Sequence, residues 1–176
     1  MTQHTHTAPH GPGNFYHALK ERDLVAQVTH AGELIDHLAD PATPRRAYVG
    51  FDPTADSLTI GNLVGIMNLA RFQRAGHIPF ALMGGGTGLI GDPSGKSAER
   101  TLQTRDTVAH NVERIKRIFT NVIDFSPNLS NRAVMVNNLD WLGTISYLDM
   151  LRDVGKHFSV NMMIQKDSVR ERLTNR

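Results

Sequence analysis

The chain has 176 residues, of which 40% are hydrophobic and 20% charged, and its formal net charge is +2. This length and composition suit a core of about one domain and are not typical of a disordered protein. The absence of cysteine excludes disulfides and a cysteine-based zinc site, and no apolar run approaches the roughly 18–20 residues that span a bilayer.

The first 14 residues, MTQHTHTAPHGPGN, lack the apolar core of a secretory signal. A reducing, cytoplasmic setting without a membrane partner is therefore expected. His4, His6 and His10 could share a metal ion, but terminal segments of this composition are usually solvated. We predict a flexible tail over residues 1–14 and no metal site.

Hydrophobic periodicity predicts a helix from Asn14 to Leu38 and then a buried strand from Arg46 to Phe51, which Asp52-Pro53 ends. A second helix is predicted from Gly61 to Ala75, and a second strand from Ile78 to Met83.

Further along, the pattern predicts a helix from Thr107 to Phe119, a strand from Ala133 to Val136, and helical segments from Tyr147 onward. Strands that alternate with helices are typical of an α/β fold with a parallel sheet covered by helices. In such sheets, ligands bind beyond the carboxyl ends of the strands.

The glycine-rich segment that starts at Gly84 approaches two phosphate-binding motifs without satisfying either. A P-loop that ends in Gly95-Lys96-Ser97 requires glycine at position 90, which is Ile90. The dinucleotide fingerprint fits Gly86 to Gly91, but it also requires that a helix begin there, whereas Asp92-Pro93-Ser94-Gly95 is expected to break the chain. It further requires an acidic residue about 20 positions later, where Asn111 stands. We predict a tight turn with close backbone approach.

Three separated segments carry a resemblance to a known family. They are Tyr48–Leu58 (YVGFDPTADSL), Gly88–Ser94 (GLIGDPS) and Arg152–Asn161 (RDVGKHFSVN). Together they resemble bacterial-type tyrosyl-tRNA synthetases, from about Phe15 to Arg176. That family belongs to the class I aminoacyl-tRNA synthetases, so the resemblance implies a Rossmann-like parallel sheet flanked by helices.

The resemblance implies an enzyme that activates tyrosine with ATP to tyrosyl-adenylate, releases pyrophosphate and transfers tyrosine to tRNA(Tyr). Such chemistry depends on positioning and charge neutralisation. Magnesium would accompany ATP, with no metal site built by the protein. The full-length protein would be a homodimer that associates near Trp141 to Asn161.

The resemblance assigns roles to four residues around the first strand. Tyr48 would contact the substrate phenol, and Gly50 would let the backbone approach the adenylate. Asp52 would contact the bound adenylate, and Thr54 would donate to the ATP phosphates. The ordinary alternatives are a core aromatic, strand packing, a strand terminator and a turn hydroxyl.

Three charged residues follow the glycines. By resemblance, Asp92 would bind the ammonium group of tyrosine through a charge-assisted contact. Lys96 and Arg100 would hold the departing pyrophosphate, on a loop that is mobile in the family. As an isolated pair, they would be ordinary solvated surface charges.

The class I signature His-Ile-Gly-His corresponds to Thr59-Ile60-Gly61-Asn62 in this chain. In the family, it lies at a helix N-terminus, where the helix end and the side-chain donors favour phosphate. Asn62 keeps an amide donor, and Gly61 would admit the adenosine. Thr59 replaces an imidazole with a shorter hydroxyl and could equally be a helix N-cap, so its effect on activity stays open.

The family's Lys-Met-Ser-Lys-Ser loop, later tyrosine-pocket helix and anticodon-binding domain have no counterpart in this sequence. We therefore expect residues 15–176 to be the front part of a catalytic domain, inactive by itself in tyrosine-dependent pyrophosphate exchange. Two alternatives remain open. One is a non-catalytic RNA-binding or scaffold derivative, which Thr59 favours, and the other is the sister tryptophanyl enzyme, against which Tyr48 argues.

Overall fold

The computed structural model describes residues 15–39, 43–91, 102–166 and 169–170, so the predicted tail, residues 1–14, lies outside the described residues. The strands are β1 (Arg46–Phe51), β2 (Ile78–Met83) and β3 (Val134–Asn137). The helices are α1 (Phe15–Lys20), α2 (Ala31–Ala39), α3 (Ile60–Arg74), α4 (Gly85–Ile90), α5 (Arg105–Phe119), α6 (Leu139–Leu142), α7 (Tyr147–Asp149) and α8 (Val160–Ile164). No helix in these ranges is long and apolar enough to cross a membrane.

The three strands form one parallel sheet in the order β1-β2-β3. Tyr48 lies opposite Phe80, which in turn lies opposite Val134. The predicted α/β fold with a parallel sheet and flanking helices is confirmed. The bounds of β1 and β2 are as predicted, whereas β3 begins and ends one residue later.

The hydrophobic core lies on one face of this sheet. Both α3 and α5 pack against that face, as right-handed connections between parallel strands would place them. The rings of Phe51 in β1 and Phe119 in α5 meet edge to face, with 4.8 Å between their centroids. The buried core residues of the sheet, of these two helices and of the segments around them are Phe51, Ile66, Leu69, Ala70, Ala81, Met83, Val108, Val112, Ile115, Phe119, Ile123 and Ala133.

The opposite face of the sheet carries no buried residue in the described part of the chain. Because side chains alternate along a strand, this face takes every second residue of each strand. Its members are Arg46, Tyr48, Gly50, Ile78, Phe80, Leu82, Val134 and Val136. The prediction that β1 is a buried strand was therefore wrong, since only Phe51 is buried and Tyr48 is 71% exposed.

The predicted helix from Asn14 to Leu38 is two helices, α1 and α2. Asp23 has φ 54°, a left-handed conformation in which a helix ends. The N–H of Leu24 donates to the carbonyl of Leu19, and the N–H of Asp23 donates to that of Lys20. This pair of bonds closes α1, although the apolar pattern of the sequence continues across it.

A set of hydrogen bonds fastens the end of α3 to the segment before β3. Buried Gln73 donates to the carbonyl of Asp124 at 2.7 Å and accepts from its N–H at 2.9 Å. Asn131 donates to the carbonyl of Gln73 at 2.7 Å. Hydrogen bonds from Ser126 lower the pKa of the Asp124 carboxyl. This end of the sheet is the one away from the carboxyl ends of the strands.

After β3, the helical pattern is broken into short pieces. After α7, a π-helical stretch, Met150–Val154, and a 3-10 turn, Gly155–His157, precede α8. No residue of these pieces is buried. The prediction of helical segments from Tyr147 onward is confirmed, since the pieces are helical. They are short, however, and make little packing contact.

Candidate active site

Polar side chains collect where the three strands end. Asp52 follows β1, Thr87 lies in α4 directly after β2, and Asn137 ends β3. The backbone brings these ends together, because the N–H of Gly84 donates to the carbonyl of Phe51 at 2.9 Å. The predicted location of the site, at the carboxyl ends of parallel strands, therefore coincides with this cluster.

Two consecutive hydrogen bonds through the Thr87 hydroxyl fix the carboxylate of Asp52. Thr87 Oγ1 donates to Asp52 Oδ1 at 2.8 Å, and Asn138 Nδ2 donates to Thr87 Oγ1 at 3.2 Å. A hydroxyl has a single proton to donate. The bond to the charged carboxylate is therefore stronger than the alternative, longer contact of 3.2 Å to the carbonyl of Gly84. Asp52 stays exposed, so a carboxylate of fixed orientation faces solvent.

The glycine-rich segment forms a short helix, α4, and the predicted tight turn was wrong for Gly85–Ile90. Its N-cap residue, Gly84, has no side chain with which to cap the helix. Two asparagines from the end of β3 take that role, because Gly85 N–H donates to Asn137 Oδ1 at 3.1 Å and Gly86 N–H donates to Asn138 Oδ1 at 2.6 Å. These bonds satisfy N–H groups that a helix start leaves open.

The close backbone approach that was predicted for the glycines is confirmed. A Cβ on Gly84 would collide with Asp52 Oδ1 and would lie 2.7 Å from Thr87 Oγ1. A Cβ on Gly85 would collide with the amide of Asn137. The carboxylate and the capping amide therefore occupy space that a side chain at either position would take.

The helix α3 begins at the same edge, with Thr59 as its N-cap residue. The Asn62 side-chain oxygen accepts from the Thr59 N–H at 2.9 Å and from the Thr59 hydroxyl at 2.9 Å. Because the backbone N–H can only donate, the oxygen of Asn62 faces the cap and its NH₂ group points elsewhere. The N-cap alternative for Thr59 is therefore confirmed, and Asn62 keeps a donor to offer.

Two predicted site residues lie on the open face of the sheet, on the strand that leads to Asp52. Tyr48 and Gly50 both project from this face of β1. Among the described residues, a Cβ on Gly50 would meet only Leu82, at 3.9 Å. At Gly61 in α3, a Cβ would meet, within the same part of the chain, only the Thr59 hydroxyl, at 3.6 Å. Both glycines leave room for a bound molecule.

Asp92, Lys96 and Arg100 lie outside the described residues. The chain leaves the described part after Gly91, which ends α4, and returns at Leu102. Gln103, the next residue, donates to the carbonyl of Thr54 at 2.8 Å. Both ends of the segment that carries the three predicted residues are therefore at the edge where Asp52 lies.

The third segment of the family resemblance has no buried residue. Arg152 donates to Asp149 at 2.9 Å and to Asp153 at 2.8 Å, all on the exposed surface. The hydrogen bond from Arg152 lowers the pKa of Asp153. In the part of the chain that the structure describes, no group of three or more His, Asp or Glu side chains could hold a metal ion.

Five residues that hold the site together were not predicted from the sequence, namely Thr87, Gln103, Asn111, Asn137 and Asn138. The two asparagines carried a usable signal, since they directly follow a predicted strand. The other three had none, because their partners lie 35 to 58 residues away.

Comparison with protein families matches residues 40–176 to the class I tRNA synthetases of the W and Y type. The chain is 54% identical over 160 residues to a tyrosine–tRNA ligase of Pectobacterium carotovorum. It is 55% identical over 155 residues to that of Aliivibrio fischeri. These matches cover 91% and 88% of this chain, but it spans only 37% and 36% of those relatives.

Two solved structures share the fold. The C-terminally truncated mitochondrial tyrosyl-tRNA synthetase of Aspergillus nidulans superposes with a TM-score of 0.78 at 25% identity, over 92% of this chain and 47% of that one. The corresponding Coccidioides posadasii protein gives 0.74 at 27% identity, over 92% and 45%.

Proposed function

Because this chain belongs to the class I tRNA synthetases of the tryptophanyl and tyrosyl type, we propose that it is the front part of the catalytic domain of a tyrosine–tRNA ligase. The observation that carries the proposal is the line formed by Tyr48, Gly50 and Asp52, which runs along an open sheet face to a carboxylate fixed by Thr87. Relatives that are 52–55% identical and named tyrosine–tRNA ligases support it.

In this proposal, tyrosine lies over the open face, with its phenol at Tyr48. The adenylate passes Gly50, where no side chain of the described residues blocks the strand, and Asp52 contacts it. The tyrosine carboxylate attacks the α-phosphorus of ATP, a P–O bond forms, and the bond to pyrophosphate breaks. This step needs no covalent nucleophile from the protein, so the chain contributes positioning and charge stabilisation.

ATP binds at the start of α3 in the proposed complex. Thr54 donates to the phosphates, and Gly61 admits the adenosine. The N-terminus of this 15-residue helix carries partial positive charge. Asn62 donates its NH₂ group, since its oxygen is occupied by the cap. Thr59 contributes by holding Asn62 in that orientation and by its own position at the helix end.

The remaining substrate contacts come from residues outside the described part. Asp92 would bind the ammonium group of tyrosine, and Lys96 and Arg100 would neutralise the pyrophosphate. Magnesium would arrive with ATP as the counter-ion of its phosphates and not at a site built by the protein. Transfer to tRNA(Tyr) would complete the reaction in the cytoplasm.

We also propose that the full-length protein is a homodimer. Support comes from the segment after β3, where large apolar side chains are exposed in a way that monomers rarely tolerate. These exposed side chains are Trp141, Leu142, Ile145, Tyr147, Leu148, Met150, Leu151, Phe158, Val160, Met162, Met163 and Ile164.

The test is tyrosine-dependent exchange of pyrophosphate into ATP by the full-length protein. Wild type is expected to exchange with tyrosine and not with tryptophan. Tyr48→Phe should raise the KM for tyrosine by about 5-fold, the typical cost of one hydrogen bond. The matched control is Tyr16→Phe in α1, which should leave the KM unchanged. Exchange that requires tryptophan would favour the sister enzyme, and no exchange with either would overturn the proposal.

A non-catalytic derivative of the fold remains a second candidate, because the Thr59 hydroxyl is already bonded to Asn62. That protein would bind tyrosine without supporting exchange. Thr59→His in the full-length protein distinguishes the two functions. In an enzyme, the wild type has a measurable exchange rate and Thr59→His should change it. In a scaffold, the wild type has no exchange rate that the substitution could change.

A further inference from the structure

The turn Asp52-Pro53-Thr54 is held by three side chains from later in the sequence. Thr87 donates to Asp52 Oδ1 at 2.8 Å, Asn111 donates to the carbonyl of Pro53 at 3.0 Å, and Gln103 donates to the carbonyl of Thr54 at 2.8 Å. Each residue of the turn therefore accepts a hydrogen bond from a different side chain.

Asn111 is a polar residue on the apolar face of α5. It is 5% exposed, and its helix neighbours Val108 and Val112 are in the hydrophobic core. A buried amide without a partner is costly. Its amide donates to the Pro53 carbonyl, so the position of the turn depends on the position of α5.

Gln103 lies directly before α5 and is fixed by the start of that helix. Thr104 is the N-cap residue, and its hydroxyl accepts from the N–H of Thr107 at 3.2 Å. The Gln103 amide reaches from there to the Thr54 carbonyl. Its oxygen is buried and has no donor among the described residues. The amide of Gln103 is therefore held by the hydrogen bond of its NH₂ group and not by one to its oxygen.

We propose that Gln103 and Asn111 are positioning residues that set the Thr54 hydroxyl against Asp52 and the ATP phosphates. The inference rests on the proposed function, since it assigns a purpose to the turn within tyrosine activation. The turn is already tight, because the N–H of Thr54 donates to the carbonyl of Asp52 at 2.9 Å. Rotation of the Thr54 peptide is what the Gln103 bond prevents.

The first experiment is a double-mutant cycle in the full-length protein. Gln103→Ala should lower kcat/KM for ATP in the exchange reaction by about 10- to 100-fold, the range that a small misplacement of a reacting group produces. The KM for tyrosine should stay within about twofold, because the turn lies on the ATP side. The matched control is the exposed Gln165→Ala, which should change neither constant.

The decisive arm is Gln103→Ala in a Thr54→Ala background. If Gln103 acts through the Thr54 hydroxyl, its loss should have almost no further effect once that hydroxyl is gone. Losses that multiply, or an equal change in the KM for tyrosine, would overturn the inference while leaving the proposed function intact. A Thr54→Ala variant with wild-type exchange would also overturn it.

Asn111→Leu provides a second variant that preserves folding. Leucine has nearly the shape of asparagine and suits the apolar face of α5, but it cannot donate to Pro53. We expect a folded protein with a somewhat lower unfolding midpoint, because the buried Pro53 carbonyl loses its donor, and a loss in kcat/KM for ATP that shrinks in the Thr54→Ala background. Unchanged exchange by this variant would remove Asn111 from the inference. Absence of exchange in the wild type would instead overturn the proposed function itself.

Discussion

Thr87 connects the ends of all three strands through one hydroxyl. It lies directly after β2, donates to Asp52 at the end of β1, and accepts from Asn138 beyond β3. A bond to a charged acceptor is worth about 1.5–3 kcal/mol, more than a neutral one. The orientation of the Asp52 carboxylate therefore depends on this residue more than on the backbone of the turn.

Thr87→Val keeps the shape of the side chain and removes its hydroxyl. We expect tyrosine-dependent exchange by the full-length protein to fall about 10- to 100-fold, the equivalent of one bond to a charged group. Thr87→Ser keeps the hydroxyl and should retain most of the activity. A valine variant with the wild-type kcat/KM would show that Asp52 needs no such partner.

Sequence reasoning found the residues that lie in or beside strands and missed those that act across the fold. The rule that ligands bind at strand ends indicates this edge of the sheet, whereas the roles of Tyr48, Gly50 and Asp52 come from the family resemblance of the β1 motif and stay predictions. Thr87 and Asn138 act through a bond between residues 51 positions apart. Nothing in the local sequence specifies such a pairing, because it depends on the order and direction of the strands.

Among the elements, α4 is the one whose observed structure agrees least with the preference of its sequence. Three of its six residues are glycine, which is among the poorest helix formers. It exists because Asn137 and Asn138 bind its first N–H groups. Local propensity consequently predicted a turn, and the contacts from β3 produced a helix.

Gly85→Ala should destabilise the full-length protein although alanine favours helices. The added methyl group would displace the Asn137 amide from its capping position, at a cost of about 1–3 kcal/mol for an overpacked contact. Gly32→Ala in α2 is the matched control, because a Cβ there meets nothing within 4 Å. It should stabilise by about 0.5–1 kcal/mol. Thermal unfolding midpoints that move in the same direction for both variants would contradict this account.

Strands β1 and β2 could be predicted to the residue, since short apolar runs bounded by Pro and Gly are local signals. The break between α1 and α2 could not. Asp23 adopts a conformation that asparagine and aspartate tolerate only occasionally, and the apolar pattern continues across it. Periodicity reports which face is apolar but not where the helix ends.

For the molecule as a whole, apolar surface is distributed unevenly. The core occupies one face of the sheet, while Phe80, Leu82, Val134 and Val136 are only partly covered on the other face. The segment after β3 adds further exposed apolar side chains. The curated relatives are nearly three times as long as the part that they share with this chain.

We therefore expect the isolated 176-residue chain to bind the dye 8-anilinonaphthalene-1-sulfonate strongly and to self-associate. The full-length protein should bind it weakly, because further polypeptide would cover the open face of the sheet and, in the proposed homodimer, the second subunit would cover the segment after β3. Fluorescence titration with size-exclusion chromatography measures the difference. A monodisperse isolated chain with little dye binding would show that the open face is satisfied without additional chain.

The dependence of α4 on two asparagines from β3 also sets an order of assembly. On the ribosome, residues 84–90 emerge about 50 positions before Asn137 and Asn138, and a six-residue glycine-rich helix cannot persist alone. The ribosome must first complete α5 and β3, and β3 must join the sheet. Only then can the carboxylate of Asp52 acquire its fixed orientation, so the pocket matures after the scaffold and not with it.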